Sequence, residues 1–423
     1  MGFSYDCRIY WELAKQFDGG MHFSLLNFNE ALRGYLFSLL LYPSFKCSEL
    51  FHLREISFCR LYLLSIFSLF YSFGLCASFR LLFKSNLRPY FHAFFGFIFI
   101  VLWWEFFTIP LSDMAGFVFL LLSFSLLEKH KLLYYFLSGA CLYAAFNIRL
   151  VYIVAIPFYL LLYFVSIKSQ INKIRLVLVS LLGFLLLASP QIYINAHNFN
   201  TYSLLVPTHL SKVTGGKSLY LMQLNWGLSM QKYETNIGSE YPIPQIRYLD
   251  VKGQQLSIIH GNKDFVSYAE YFNFCISHPD VSLLYLKHVF NGFDITTPKA
   301  YLSNTIYHRS NVLKWFNYSL LFIGFLGLIF RFKESSFLLK IVTAMIFCVV
   351  VIIIPTATET RFYLPLHFVF YAFGIHFLQN ISVLNWNVKS WILLFLCYFC
   401  FIGLCYFRSN ATRGQIEFKS QHL

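Results

Sequence analysis

Apolar residues run through this chain in blocks close to the length of a bilayer crossing, separated by short polar breaks. A hydrocarbon core of about 30 Å takes about 20 apolar helical residues. Runs near that length cover residues 61–79, 90–109, 114–127, 132–148, 151–167, 176–194, 315–330, 337–355, 362–378 and 391–407. The pattern predicts an all-α polytopic membrane protein with about ten transmembrane helices. The apolar stretch 35–42 is too brief to span and is followed by Pro43, which predicts a short helix ending there and lying along the interface.

Two stretches break the pattern. Residues 1–60 mix apolar positions with Asp6, Arg8, Glu12, Lys15, Asp18 and Glu30, and read as an outer first loop with interfacial helices. Residues 198–311 form a polar insert with turn signals at Gly215-Gly216, Pro242-Ile243-Pro244, Gly253 and His278-Pro279-Asp280. This predicts a small mixed or helical extramembrane cap whose helical part is 265–290. The remaining divisions are transmembrane helices over 61–197 and 312–407 and a tail over 408–423.

Composition agrees: 58% of residues are hydrophobic and 12% charged, against about 25% charged in soluble domains. A soluble enzyme is excluded. The formal charge of +14 is spread over the run ends, without the dense patch that nucleic acid requires, so it reads as topological. Cytoplasmic loops concentrate Lys and Arg. Arg80, Lys84 and Arg88, then Lys129 and Lys131, then Lys168, Lys173 and Arg175, then Arg331 and Lys333, then Lys389 mark that side. The alternate short loops carry Asp113, Arg149, and Glu359 with Arg361. The same parity places residues 1–60 and the insert outside. The ten cysteines lie mostly in apolar runs and read as small buried hydrophobes. The histidines, His308 among them, lack metal-ligand spacing.

The parity collects Asp6, Asp113, Arg149 and Arg361 on one side. Ionisable groups at a membrane boundary are costly and tend to mark a ligand path. Moving a sugar from a lipid phosphate requires a carboxylate to take the acceptor's proton and fixed cations for the departing phosphate. A second acid is dispensable, because phosphate leaves as an anion. Structural readings stand beside each residue. Asp6 is equally a loop acid, and Asp113, after Pro110, is equally a helix cap. Arg149 and Arg361 are equally snorkelling side chains. Glu105, after Trp103-Trp104, either faces a cavity or pairs with a polar neighbour. Tyr233-Glu234-Thr235-Asn236 and Asn291-Gly292-Phe293-Asp294 either meet an acceptor or form turns.

Asp6-Cys7-Arg8-Ile9-Tyr10 followed by Trp11-Glu12-Leu13-Ala14 resembles the element that opens the first outer loop of GT-C superfamily glycosyltransferases, in the bacterial protein-mannosyltransferase and aminoarabinose-transferase-like branch. Arg33-Gly34-Tyr35-Leu36-Phe37 resembles that family's interfacial helix, and Leu111-Ser112-Asp113 its second acidic element. Asn147-Ile148-Arg149, Ser189-Pro190-Gln191 with Asn195, and Glu359-Thr360-Arg361-Phe362-Tyr363-Leu364-Pro365 are similar to further elements in the same order. The resemblance implies a polyprenyl-phosphate sugar donor, inversion at the anomeric carbon, and an acceptor that is a cell-envelope glycan, lipid or protein. It implies a place in the bacterial inner membrane with the site facing the periplasm or exterior. Asp6 would be the base, Asp113 would orient the acceptor or a divalent cation such as Mg or Mn, and Arg149 or Arg361 would hold the lipid phosphate. Tyr10, Glu105 and Glu359 complete the implied substrate-binding set. Members of the family carry a membrane span directly before this loop, whereas Asp6 lies five residues after Met1, so the resemblance implies either a start assigned too late or the loss of the first helix. Two rival readings share the size and span pattern: an O-antigen-type polymerase, which would lean on outer-loop arginines, and a flippase or transporter, which would show repeated halves.

Overall fold

The computed structural model describes residues 3–19, 22–127, 131–166, 170–239, 241, 243–302, 310–332, 336–381 and 387–417. Among residues read above, Met1, Lys129, Lys168, Pro242, His308 and Lys333 lie outside these. In chain order the helices are α1 (Tyr5–Gln16), α2 (Tyr35–Leu50), α3 (Glu55–Leu69), α4 (Cys76–Phe83), α5 (Pro89–Trp103), α6 (Ser112–Leu127), α7 (Leu132–Ile148), α8 (Ala155–Ser166) and α9 (Gln170–Phe199). They continue with α10 (Leu219–Ser229), α11 (Val251–Ile259), α12 (Tyr268–Ser277), α13 (Val281–Phe293), α14 (Asn311–Arg331), α15 (Phe337–Ile353), α16 (Leu364–Gln379) and α17 (Val388–Arg413). The strands are β1 (Met230–Asn236), β2 (Gln245–Leu249) and β3 (Tyr301–Leu302).

The chain is predominantly helical, with several helices suited to a bilayer. Among the described residues, five stretches are long and apolar enough to cross: Glu55–Arg80, Pro89–Phe107, Lys173–Phe199, Asn311–Arg331 and Val388–Arg413. The expectation of about ten is thereby corrected to five by length and composition. The apolar stretches Ser112–Leu127, Leu132–Ile148, Leu150–Val165 and Phe337–Ile353 are shorter. The physical reason is visible in α6 and α16, where most residues are buried by other parts of the protein. A helix enclosed in protein is apolar all round without having to match the bilayer's thickness.

The described residues form two compact units. One comprises Met1–Asn86, Glu105–Leu219 and Ser336–Val349. Its first loop folds as α1 packed on α2, with Leu13, Phe17, Phe28, Tyr35 and Ile194 in a shared core. Contrary to expectation, α2 continues through Pro43 to Leu50. Proline removes one backbone hydrogen bond, but contacts flank it on both sides: Tyr42 donates to Asp18 at 2.7 Å and Lys46 pairs with Asp18 at 2.6 Å. A π-helical turn at Phe70–Leu75 joins α3 to α4 in one continuous helix. Helices α7, α8 and α9 are stitched by buried hydroxyls: Ser138 and Tyr159 lie 2.6 Å apart, and Ser180 donates to the Tyr135 carbonyl at 2.9 Å. Interhelical hydrogen bonds of this kind hold helices together where lipid offers no hydrophobic driving force.

The other unit comprises Leu87–Trp104, Tyr220–Ser335 and Val350–Leu423. It contains most of the insert, α5, α14, α16 and α17. The strands form one sheet in the order β2-β1-β3, with β1 antiparallel to β2 and parallel to β3. The C-terminal residues extend it: Leu249 N–H donates to the Gln415 carbonyl at 2.9 Å and Glu417 N–H to the Arg247 carbonyl at 3.1 Å. The helix expected over 265–290 is two helices, α12 and α13, parted at His278-Pro279-Asp280, where the residue before a proline leaves the helical region. Tyr233–Asn236 belongs to β1, in place of the suggested turn. Asn291 and Asp294 are buried at the end of α13, where the Asp294 carboxylate accepts from Tyr318 at 2.6 Å and Ser409 at 2.9 Å. Among the cysteines, Cys397 and Cys400 are exposed on the apolar surface of α17, contrary to the buried reading, while Cys7, Cys59 and Cys405 are buried.

Candidate functional site

Four of the residues singled out from the sequence come together inside the first unit. Asp6 lies in the first turn of α1. Its Oδ1 pairs with Nη2 of Arg33 at 2.8 Å. The Arg33 guanidinium stands 5.2 Å from the centre of the Tyr10 ring, within reach of a cation–π attraction. Tyr10 is one turn after Asp6 on the same helical face, and its hydroxyl donates to Ser112 Oγ at 3.0 Å. Ser112 is followed by Asp113 in the first turn of α6, and Asp113 Oδ1 pairs with Arg149 Nη1 at 2.8 Å. Segments 6–10, 33 and 112, far apart in sequence, are thus linked by side-chain contacts, and the Asp113–Arg149 pair adjoins them through the backbone at Ser112-Asp113.

Local structure explains the convergence. Arg149 is the residue that closes α7, and its stem lies against Gly116 of α6. A Cβ on Gly116 would come within 2.9 Å of Arg149 Cγ. Only glycine lets the stem pass and the guanidinium reach Asp113 one turn earlier. Gly34 is similarly constrained, since a Cβ there would sit 2.1 Å from the Asn147 carbonyl oxygen.

The two ion pairs differ in environment. The Asp113 side chain is 5% exposed and that of Arg149 22%, while Asp6 is 34% exposed and Arg33 17%. Burial pushes the Tyr10 phenol above its ordinary pKa, with the Arg33 charge pulling the other way. Burial opposes the charge on Arg33, but facing Tyr10, Asp6 and Glu30 outweighs it and the guanidinium is held more firmly protonated. The site therefore combines a well-buried Asp–Arg pair with a more open one, with the Tyr10 phenol reaching from Arg33 to Ser112 beside Asp113.

Glu359 and Arg361 pair with one another in the second unit, both side chains nearly buried. The Arg361 guanidinium also stands 5.4 Å from the Phe362 ring. Glu105 is half-buried and begins the turn leading towards α6, where its carbonyl accepts from Thr108 N–H at 3.1 Å. Arg33 and Ser112 are the residues that sequence reasoning passed over as site residues. Arg33 carried a signal: a cation directly before a glycine and an apolar helix. Ser112 carried one only through its neighbour Asp113.

Among the described residues no three His, Cys, Asp or Glu side chains gather to hold a metal, and Asp6 and Asp113 each face a guanidinium.

No family model, curated protein or solved structure matches this chain.

Proposed function

We propose that this protein is an integral-membrane inverting glycosyltransferase that moves a sugar from a polyprenyl-phosphate donor to a cell-envelope glycan, lipid or protein acceptor on the periplasmic face of the inner membrane. The observation that carries the reading is the contact chain Asp6–Arg33–Tyr10–Ser112, continued through Asp113 to Arg149. It joins two carboxylates and two guanidiniums in one fold unit.

The chemistry suits that inventory. An acceptor hydroxyl attacks the anomeric carbon from the face opposite the phosphate. A new C–O bond forms as the C–O bond to phosphate breaks, and the proton passes to a carboxylate. Asp6 is the base in this reading, because it is the more open of the two acids and a general base must come within hydrogen-bond reach of the proton it takes. Asp113 orients Arg149. Arg149 and Arg33 stabilise the polyprenyl phosphate as it departs, a role that suits the planar bidentate fork of arginine. The lipid tail of the donor stays in the bilayer that the apolar helices occupy.

The test is consumption of radiolabelled polyprenyl-phosphate sugar by membranes containing the protein. Asp6→Asn changes shape little and removes the base, so transfer should vanish while the protein still inserts. Undiminished transfer by that variant would remove Asp6 from the mechanism.

A further inference from the structure

Both site arginines stand two residues from the same buried amide ladder. Arg33 precedes Tyr35, and Arg149 follows Asn147. The first two backbone N–H groups of α2 are spoken for by side chains of α7 and α9: Leu36 N–H donates to Asn147 Oδ1 at 3.1 Å, and Tyr35 N–H to Gln191 Oε1 at 3.4 Å. The side chains then hold one another. Asn147 Nδ2 donates to Gln191 Oε1 at 2.8 Å and to the Tyr143 hydroxyl at 3.3 Å, and Gln191 Nε2 donates to Asn195 Oδ1 at 2.9 Å. The ladder ends on backbone, with Asn195 Nδ2 donating to the carbonyls of Ser203 at 2.7 Å and Leu205 at 2.9 Å. Gln191 and Asn195 are fully buried and Asn147 nearly so.

Packing alone would join α2 to α7 and α9 with apolar side chains, and it would tolerate a sliding register. Buried amides behave differently. A satisfied set is stable in one arrangement, and displacement strands polar groups in a medium where they are costly. Here the ladder replaces the intrahelical partners that the start of every helix lacks, so it fixes where α2 begins. The contact at Gly34 brings that start directly against Asn147. Beyond it, Tyr10 lies edge-on to Phe37 of α2 at 4.8 Å, so α1 follows.

We propose that Asn147, Gln191 and Asn195 are positioning residues that set the separation of the Asp6–Arg33 and Asp113–Arg149 pairs. The functional half of this inference rests on the transfer reading above. The ladder touches none of the four charged groups directly; it acts through the backbone that carries both arginines.

The experiment uses Gln191→Leu, which keeps side-chain bulk and removes both the acceptor for Tyr35 and the donor to Asn195. Spin labels at Arg8→Cys and Leu150→Cys, both exposed positions, report the distance between α1 and the end of α7 in the full-length protein. The expected result is a shifted or broadened distance distribution. In the transfer assay kcat should fall by about 10²-fold, the scale of an ångström-level misplacement, with KM changed far less. If Gln191→Leu does not accumulate, Asn195→Ser, at the far end of the ladder, should give the same two changes in weaker form. An unchanged distance distribution, or unchanged kcat in an active protein, overturns the proposal. Should the native protein transfer no sugar at all, the proposed activity fails and the distance measurement still decides whether the ladder sets the spacing.

Discussion

Replacing Arg149 by methionine removes the cation from the better buried of the two ion pairs. At 2.8 Å and an effective dielectric of about 20, the direct attraction between the charges is about 6 kcal/mol, opposed by the desolvation of both. Loss of one partner from a buried pair costs about 3–5 kcal/mol, whereas apolar replacement of both is often close to neutral. Asp113 is 5% exposed, so Arg149→Met should lower unfolding free energy by about 3–5 kcal/mol. The double variant Asp113→Leu/Arg149→Met should regain most of that. It would stay below the native protein by the worth of the acid in the first turn of α6, about 0.3–1 kcal/mol. The more open pair supplies the control: Arg33→Met should cost no more than about 1 kcal/mol. Reversible unfolding in mixed micelles under a denaturing detergent measures these proteins together with the Asp113→Leu single variant. A double variant that loses the sum of its two single losses would refute the buried-pair reasoning, as would equal losses for Arg33→Met and Arg149→Met.

His288 sits between the carbonyls of Ile354 and Met230, and burial pushes its pKa down to about 4 although those hydrogen bonds favour its charged form. The unfolded chain therefore binds its proton first. Stability is fully present above about pH 6.5 and is lost as pH falls towards about 4, by on the order of 3 kcal/mol; unfolding measured at pH 7, 5.5 and 4 should show this slope for the native protein and lose it in His288→Gln. Gly116→Val should push the Arg149 stem off α6 and lower transfer by about 10- to 100-fold without loss of protein from the membrane, and full activity would exclude that stem from the site. Cysteines at Ile259 and Gln415, both exposed, should react with an impermeant thiol reagent from the same side of the membrane. Labelling from opposite sides would contradict the strand contact between the tail and β2.

The long spans were legible because bilayer thickness writes itself directly into run length. The expected run 315–330 lies within Asn311–Arg331, and 391–407 within Val388–Arg413. The count of spans was not, because burial within protein and burial in lipid select the same residues, and α6 and α16 are apolar for the first reason. The course of α2 past Pro43 was hidden for a related cause: local rules stop a helix that Asp18, in the turn after α1, holds together. Of the four residues that the charge pattern grouped, Asp6, Asp113 and Arg149 lie in one unit beside Tyr10, whereas Arg361 lies in the other unit, paired with Glu359. The partner of each acid was not legible, since which arginine meets which acid depends on how Gly116 and the amides of Asn147, Gln191 and Asn195 pack, which residue order alone does not give. Glu359 and Arg361 illustrate the same limit, because two residues of spacing carries no hint that they neutralise each other.

The sheet of the insert is completed by residues at the far end of the chain, with Gln415 and Glu417 bonded to Leu249 and Arg247. During synthesis the edge of β2 waits for them. At about 5–20 residues per second, the interval between Leu249 and Gln415 is on the order of ten seconds, during which α14 and α17 must also reach their places. An exposed strand edge is a template for wrong pairing, so this protein has a window of vulnerability that closes only once residues 415–417 have been made. Premature termination within α17 would leave the edge open permanently.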